Sequence, residues 1–317
     1  MPLVQSEFRP AWWLKQPHLQ TLWGGLRKGP QVAVRKERLE LPDGDFIDLA
    51  WADGDKPQAP VVMLLHGLEG SLRSAYVRGL MHELNALGLR ACLMHFRGCS
   101  GEPNRLPIAY HSGKTDDPAR VLEHLQQQAE VIGAVGVSLG GNVLLKWLGE
   151  QGDAIPLQRA AAMSIPFRLN DAALRLRGGL SRIYERYLIV SLQRSYREKF
   201  AAMPCPLQVD VDKLDTFHKF DDAITAPLHG FAGVEDYYAR ASSRQFLPDI
   251  RIPTLIVHAQ DDPFMFPHTA PTAEELPPQV RFESCSHGGH VGFVAGRWPW
   301  RAEYWAEKRI ARWMAGD

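Results

Sequence analysis

A serine within a glycine-rich string carries the most specific chemistry in this sequence. Ser138 stands in GVSLGG, residues 136–141, with one glycine two positions before it and one two positions after it. The string follows an apolar strand predicted over 131–137 and opens a helix predicted over 139–150. In that setting a tight turn lifts the serine out of the sheet, and the glycines let the backbone bend sharply. We predict that Ser138 is a nucleophile; the alternative is an ordinary strand-to-helix turn with an incidental serine.

An acid partner is expected in the loop after the next-to-last strand, because open α/β sheets with such a serine use the chain order serine, acid, histidine. The strand predicted over 254–258 runs into Asp261 and Asp262. Asp262 is favoured because it lies deeper in the loop and is followed by Pro-Phe, which can seat the turn. Asp261 stays open as the alternative.

A base is expected after the last strand, since a serine hydroxyl is a poor nucleophile until its proton is removed. The strand predicted over 280–284 runs into His287 and His290. His290 is favoured, because the two glycines before it let the loop bend its ring towards Ser138. It would act as general base and then as acid, while Asp262 holds its tautomer. His287 remains the alternative.

Two backbone N–H groups are predicted to form an oxyanion hole. His66 begins the loop HGLEGS directly after the strand predicted over 61–65. Enzymes with a serine in this strand-to-helix turn supply one backbone donor from the corresponding loop. Leu68 N–H and Leu139 N–H are the expected pair, each lowering the barrier by about 3–4 kcal/mol when well placed. The alternative for this loop is a plain turn with a hydrogen-bonded histidine. Glu69 is expected to be solvated and receives no role.

The elements that must position these residues alternate between strands and helices. Two antiparallel strands flank the turn at 42–44, and further strands are predicted over 61–65, 91–96, 131–137, 159–165, 254–258 and 280–284. Helices are predicted over 75–87, 117–128, 139–150 and 301–314. Such alternation indicates a mostly parallel sheet flanked by helices, an α/β fold.

Residues 166–248 interrupt this alternation. They contain no convincing buried strand, only helix-like stretches over 180–200 and 237–246. Because so long a structureless loop is implausible in a compact domain, we predict a helical cap insertion over one end of the sheet. The first 30 residues form an aromatic arm with one short helix around 18–23. The predicted organisation is therefore an N-terminal arm at 1–30, a core at 31–165 and 249–317, and a cap at 166–248.

Composition narrows the function classes further. The 317 residues carry 36 Lys and Arg against 36 Asp and Glu, without the basic excess of a nucleic-acid binder. Four cysteines form no CxxC pair, and the N-terminus lacks a signal-peptide pattern, so a cytoplasmic location is expected. No apolar run approaches the length of a membrane-spanning helix. No HExxH-type spacing indicates a metal site, and we expect neither metal nor cofactor.

The motifs together resemble a known family. HGLEGS, GVSLGGN, AQDDPF and HGGHVGF, with QPHLQT, HFRGCSGEPN and YHSGKTDD, resemble the YheT-like hydrolases, a branch of the α/β-hydrolase-fold superfamily related to eukaryotic lipases of this fold. The resemblance covers residues 16–313. It implies a cytoplasmic serine esterase whose charge relay is Ser138, Asp262 and His290. Its substrates would be short-chain acyl esters, with lipid esters as further candidates.

Other functions and contacts stay open beside this one. The same acyl-enzyme could serve an acyltransferase, and a non-catalytic lipid-binding protein could keep the fold. The aromatic arm, with Trp12, Trp13 and Trp23, is expected to pack on the protein rather than on a membrane. Arg97 is expected to pair with a carboxylate that orders a long loop, with bordering the pocket as the alternative. The expected partner is a small-molecule or lipid ester; no pattern indicates an oligomeric state.

Overall fold

The computed structural model describes residues 2–317. Within that range nine strands form one sheet: β1 (Leu3–Gln5), β2 (Arg35–Glu40), β3 (Phe46–Ala52), β4 (Val61–Leu65), β5 (Arg90–Met94), β6 (Val131–Val137), β7 (Arg159–Met163), β8 (Thr254–Ala259) and β9 (Val280–Cys285). Their spatial order is β1-β9-β8-β7-β6-β4-β5-β3-β2. The pairs β2–β3 and β3–β5 are antiparallel, and every other pair is parallel. The predicted α/β fold with a mostly parallel sheet is confirmed.

Helices cover both faces of the sheet. They are α1 (Pro17–Leu26), α2 (Ala75–Ala86), α3 (Asp116–Gln126), α4 (Leu139–Gln151), α5 (Leu169–Leu176), α6 (Arg182–Ala202), α7 (Phe217–Phe220), α8 (Ala226–Leu228), α9 (Val234–Ala241) and α10 (Trp305–Ala315). Apolar side chains of α3 and α4 pack on one face, and those of α2 and α10 pack on the other. The strands β4, β5, β6 and β8 are buried along their whole length, as their continuous apolar runs predict.

Several element boundaries differ from the prediction. Strand β1 was not foreseen, because three residues show no periodicity and their partner β9 lies at the far end of the chain. The strand after α2 ends at Met94 rather than Phe96. Val280–Cys285 is not the last strand, since β10 (Val294–Ala295) and β11 (Glu303–Tyr304) form a small antiparallel pair. That pairing also delays the closing helix, which begins at Trp305 rather than at residue 301.

Residues 166–248 contribute helices and turns but no strand to the described structure. This helical segment has apolar clusters of its own, one between α5 and α9 and another between α6 and residues 211–224. No helix within residues 2–317 combines the length and apolarity needed to cross a bilayer.

The carboxyl ends of four of five consecutive strands in the sheet carry the predicted chemistry. Residue 66 follows β4, residue 138 follows β6, residue 262 follows β8 and residue 290 follows β9. Because parallel strands all end at the same edge of a sheet, loops far apart in sequence meet there. Strand order therefore places the acid and histidine loops side by side, with β7 between them and the serine.

Candidate active site

Ser138 occupies a strained turn between β6 and α4. Its φ of 52° lies in the left-handed region that non-glycine residues rarely adopt. A Cβ placed on Gly136 would lie 2.4 Å from the Gly140 carbonyl oxygen, and one on Gly140 would lie 2.4 Å from the His66 carbonyl oxygen. Only glycine fits at these two positions. The turn thus holds the serine hydroxyl at the edge of the sheet, at the N-terminus of α4.

His290 connects the serine to the predicted acid. Its Nε2 lies 3.0 Å from Ser138 Oγ, and its Nδ1 lies 2.8 Å from Asp262 Oδ2. Because a carboxylate can only accept, Nδ1 carries the proton and donates it, which leaves Nε2 of a neutral ring to accept from the serine hydroxyl. The three side chains, called here the serine cluster (Ser138, Asp262 and His290), form a single line of hydrogen bonds.

The loop after β8 separates the two neighbouring aspartates. Asp262 is buried, and its other oxygen accepts from Phe264 N–H at 2.8 Å. Asp261 faces away and accepts from Gly289 N–H at 2.9 Å, while burial raises the pKa of its carboxyl. Asp261 thus contacts the loop that carries the histidine, whereas Asp262 contacts the imidazole itself.

His287 lies apart from the serine cluster, where its Nδ1 contacts Ser286 Oγ at 3.0 Å. The imidazole of His290 instead stacks flat on Phe264, with ring centroids 3.9 Å apart and planes within 4°. Stacking on Phe264 fixes the plane of the imidazole, and the hydrogen bond to Asp262 fixes the direction of its Nδ1. The Pro-Phe sequence after the aspartates therefore serves the histidine as well as the turn.

The N-terminal arm supports the histidine loop. Thr21 Oγ1 accepts from His290 N–H at 2.9 Å, and the side chain of Gln20, fully buried, makes three hydrogen bonds to the backbone of Leu14 and Val294. Trp13 and Trp23 pack edge to face at 4.8 Å. The roles of Gln20 and Thr21 were not predicted from the sequence. The one feature that pointed to these residues was their place in the QPHLQT string.

The loop after β4 leaves one donor free. Gly67 N–H donates to Tyr76 Oη at 2.8 Å, Glu69 N–H donates to Tyr110 Oη at 2.9 Å, and Gly70 N–H donates to the Gly67 carbonyl. Between residues 67 and 70, Leu68 N–H alone has no hydrogen-bond partner within the described chain. Leu139 N–H, the first of α4, is likewise uncommitted in residues 2–317, and both leucines line the same cleft as Ser138.

His66 keeps this loop rigid. It is fully buried, its Nδ1 donates to the Gly67 carbonyl at 2.7 Å, and its Nε2 accepts from Phe96 N–H at 3.0 Å. Burial lowers its pKa to about 3, so the ring is neutral and keeps this hydrogen-bond pattern at ordinary pH. A Cβ on Gly67 would lie 3.3 Å from Ser138 Cβ, so the loop lies directly against the serine.

Glu69 is not solvated as the sequence led us to expect. Its carboxylate accepts from Tyr110 Oη at 2.8 Å and from Ser195 Oγ on α6 at 2.5 Å. Its φ of 53° is strained, as is that of Ser138. Glu69 therefore links the loop that bears Leu68 to the helical segment. No local motif signals this link, because Ser195 lies 126 positions away.

A cleft that is partly open to solvent lies above Ser138. Its walls combine the two loops with the helical segment and are largely apolar; they include Leu68, Leu139, Leu176, Leu188, Leu192, Phe217 and Phe220. Such a lining suits the hydrocarbon part of a ligand, while the polar groups at the serine end would orient its reacting part.

A second polar cluster borders the same cleft, and we call it the arginine cluster (Arg97, Asp43, Asp45, Asp117 and Asn104). All of its members except the exposed Asp43 are buried. Arg97 binds Asp117 with two parallel bonds of 2.9 and 2.7 Å, and binds Asp43 and Asp45 at 2.7 and 3.0 Å. Asn104 donates to Asp45 at 2.5 Å, and Lys199 of α6 donates to Asn104 at 2.6 Å. The expected pairing of Arg97 with a loop-ordering carboxylate is confirmed, and the residue also borders the cleft.

Comparison with known proteins identifies relatives along the whole chain. A family model described as alpha/beta hydrolase fold matches residues 60–296. The YheT esterase of Escherichia coli (strain K12) is 42% identical over 317 residues, covering 98% of this chain and 93% of that protein. Phospholipase ABHD3 of Bos taurus is 32% identical over 323 residues, covering 96% of this chain and 77% of that protein.

A solved structure gives an independent comparison of the fold. The crystal structure of the 2,6-dihydroxy-pseudo-oxynicotine hydrolase superimposes with a TM-score of 0.58 at 16% identity. It covers 94% of this chain and 71% of that one. At such low identity the likeness concerns the fold alone.

Proposed function

The chain belongs to the α/β-hydrolase fold family, in its branch with the YheT esterase, and is a carboxylic ester hydrolase; on that premise we propose that it works through an acyl-enzyme on Ser138. The observation that carries this proposal is the line of hydrogen bonds from Asp262 through His290 to Ser138, which ends at a cleft beside two uncommitted backbone donors.

The first half-reaction forms the acyl-enzyme. As Ser138 Oγ attacks the ester carbonyl, its proton passes to Nε2 of His290. The carbonyl oxygen becomes an oxyanion, which Leu68 N–H and Leu139 N–H stabilise by about 3–4 kcal/mol each. His290 then gives the proton to the leaving alcohol oxygen as the carbon–oxygen bond breaks. Asp262 stabilises the transient imidazolium and stays ionised.

The second half-reaction repeats this chemistry with water. His290 takes a proton from a water molecule whose oxygen attacks the acyl carbonyl, and the same two N–H groups stabilise the new oxyanion. Collapse releases the carboxylic acid and returns the proton to Ser138. Because the rings of Phe264 and His290 lie flat on one another, the imidazole keeps one orientation through both steps.

The apolar cleft supports an ester whose hydrocarbon part lies against the helical segment. That segment would act as a cap over the loops that follow β4 and β6. Short-chain acyl esters fit this description, and so do lipid esters, in line with the name phospholipase carried by one relative. The cytoplasmic location inferred from the cysteines stays a prediction.

Labelling tests the nucleophile directly. A fluorophosphonate probe should label the wild-type protein and block turnover of p-nitrophenyl butyrate, with a burst of p-nitrophenol in rapid mixing. Ser138→Ala should lose both, with activity reduced about 10⁵-fold or more. The matched control is Ser112→Ala, because Ser112 is a serine that also lines the cleft but hydrogen-bonds Tyr237 instead of a histidine. Undiminished labelling of the Ser138→Ala protein would remove the proposal.

A further inference from the structure

The outward face of α6 exposes a row of apolar side chains. Ile183, Tyr187 and Val190 are 64%, 74% and 46% exposed, and their spacing of four and three places them along one side of the helix. Leu180, in the turn before α6, is 60% exposed. The opposite side of the same helix lines the cleft. A row this apolar, on a helix whose other face is already packed, is typical of a surface that meets a partner.

The same face is rich in unpaired positive charge. Residues 174–197 contain six arginines and a single acidic residue, the buried Glu185, although the whole chain is neutral. Arg197 forms a salt bridge with Asp212. In contrast, Arg177, Arg182, Arg186 and Arg194 form no salt bridge with any residue of the described structure. These exposed guanidinium groups flank the apolar row. Arg177 and Arg182 lie near the carboxyl of Glu185 without forming a salt bridge with it, and Arg186 and Arg194 form none either within residues 2–317.

The face lies next to aromatic residues that contact the serine cluster. Tyr184, next to Ile183, packs on Phe264 at a centroid distance of 5.1 Å, and Phe264 stacks on His290. Tyr184 also stacks on His18 of the arm at 5.7 Å. That contact brings α1, with Leu19 49% exposed and Leu22 43% exposed, next to the start of α6. The apolar row is thus within one helical turn of the aromatic contacts that reach the histidine.

We propose that this docking face (Leu180, Ile183, Tyr187, Val190 with Arg177, Arg182, Arg186 and Arg194) binds the surface of a bilayer that contains anionic lipid. A helix with aliphatic and aromatic residues flanked by arginines lies in the interface plane, with apolar side chains among the acyl boundary and guanidinium groups at the phosphates. The bilayer would then deliver a lipid ester to the adjacent cleft. Delivery rests on the proposed function, whereas docking does not.

The apolar row and the arginines of the docking face together favour a lipid surface over other acidic partners. Nucleic acid or an acidic peptide would use the arginines but would leave the row of Ile183, Tyr187 and Val190 in water. Only an interface with both phosphate and hydrocarbon uses the charge and the row together. Binding to a lipid surface should therefore weaken when either the apolar row or the arginines are substituted.

The test measures vesicle binding by the Ser138→Ala protein, which turns over no lipid, in a co-sedimentation assay at about 0.1 M salt. The vesicles contain either phosphatidylcholine alone or phosphatidylcholine with about one quarter phosphatidylglycerol. One variant carries Ile183→Ser, Tyr187→Ser and Val190→Ser, and a second carries Arg182→Gln, Arg186→Gln and Arg194→Gln. The matched control carries Arg120→Gln, Arg240→Gln and Arg251→Gln, three exposed arginines that already form salt bridges elsewhere.

We expect binding to the anionic vesicles, weakened about tenfold or more in both docking-face variants and unchanged in the control. The same substitutions in the Ser138 protein should leave hydrolysis of water-soluble p-nitrophenyl butyrate near wild type, which shows that the variants fold. The proposal is overturned by absent binding, by equal loss in the control, or by loss in the arginine variant alone, since that result indicates a purely ionic partner. An inactive wild-type protein that still binds vesicles would refute the esterase mechanism and leave the docking face standing.

Discussion

The serine cluster and the arginine cluster border the same cleft and both contain buried carboxylates, yet they differ in how completely their hydrogen bonds are used. Arg97 donates to three carboxylates, and Asp45 also accepts from the backbone of Phe46 and Arg105. The serine cluster instead ends at one hydroxyl that faces the cleft. A closed cluster stabilises the fold, whereas an open one keeps capacity for a reacting molecule.

The two clusters also differ in whether their carboxylates have a partner that can exchange a proton. Both clusters contain buried carboxylates, but those of the arginine cluster share a guanidinium that cannot release its proton. The carboxylate of the serine cluster faces an imidazole, whose two nitrogens can take up and release a proton. Proton transfer is therefore available at one cluster and blocked at the other.

The largest expected effect separates Asp262 from its neighbour. In Asp262→Asn the amide can donate to the ring, which shifts the proton of His290 to Nε2 and removes the acceptor for Ser138. Turnover of p-nitrophenyl butyrate should fall about 10⁴-fold. Asp261→Asn keeps an oxygen that can accept from Gly289 N–H and should stay near wild type. If the two variants lose activity equally, the distinction between the two aspartates is wrong.

A comparable change in the arginine cluster should act on stability. Arg97→Met leaves Asp45 and Asp117 buried without their partner, which should lower the free energy of unfolding by about 3–5 kcal/mol in urea titrations. Arg38→Met, at a half-exposed arginine that also binds two carboxylates, should cost about 1 kcal/mol or less. The folded fraction of Arg97→Met should still hydrolyse ester. Full inactivation of a stable Arg97→Met protein would contradict the division between the clusters.

Glu69 offers a smaller, intermediate effect, because it joins the loop that bears Leu68 to α6. Glu69→Gln replaces one accepting oxygen by a donor, so either Tyr110 or Ser195 loses its partner. If Leu68 N–H stabilises the oxyanion as proposed, kcat should fall about tenfold with little change in KM, since such a donor acts mainly in the transition state. Glu198→Gln, at an exposed carboxylate on the same helix, is the control. A change in KM alone would indicate a role in ligand binding instead.

The smallest effect concerns the pH dependence of stability. Burial raises the pKa of Asp221, which accepts from Thr225 and Tyr238, to about 6. A carboxyl whose pKa is raised by folding stabilises the protein fully below its unfolded value and loses that contribution as pH rises through about 6. Wild-type Tm should therefore fall more between about pH 4 and about pH 7 than that of Asp221→Asn. Asp222→Asn, the exposed neighbour, should keep the wild-type dependence.

Local patterns were sufficient for most of the fold. The runs at 61–65 and 131–137 were predicted with their observed limits, because a buried parallel strand is apolar on both faces and needs no distant information. The three-residue β1 escaped, since only its pairing with residues 282–284 makes it a strand. The prediction that Glu69 is solvated was wrong for the same reason, because its partner on α6 is remote in sequence.

What the sequence determined by itself is the set of groups able to react: a serine between glycines after a strand, two aspartates after a later strand and two histidines after the last long one. Each of these signals lies within about ten residues, where strand and turn propensities act. Tertiary structure alone decided which aspartate faces the imidazole, that Thr21 holds the histidine loop, and that Leu68 N–H has no hydrogen-bond partner within residues 2–317. Those outcomes depend on hydrogen bonds between residues brought together only when the sheet forms, and no short window of sequence contains both partners.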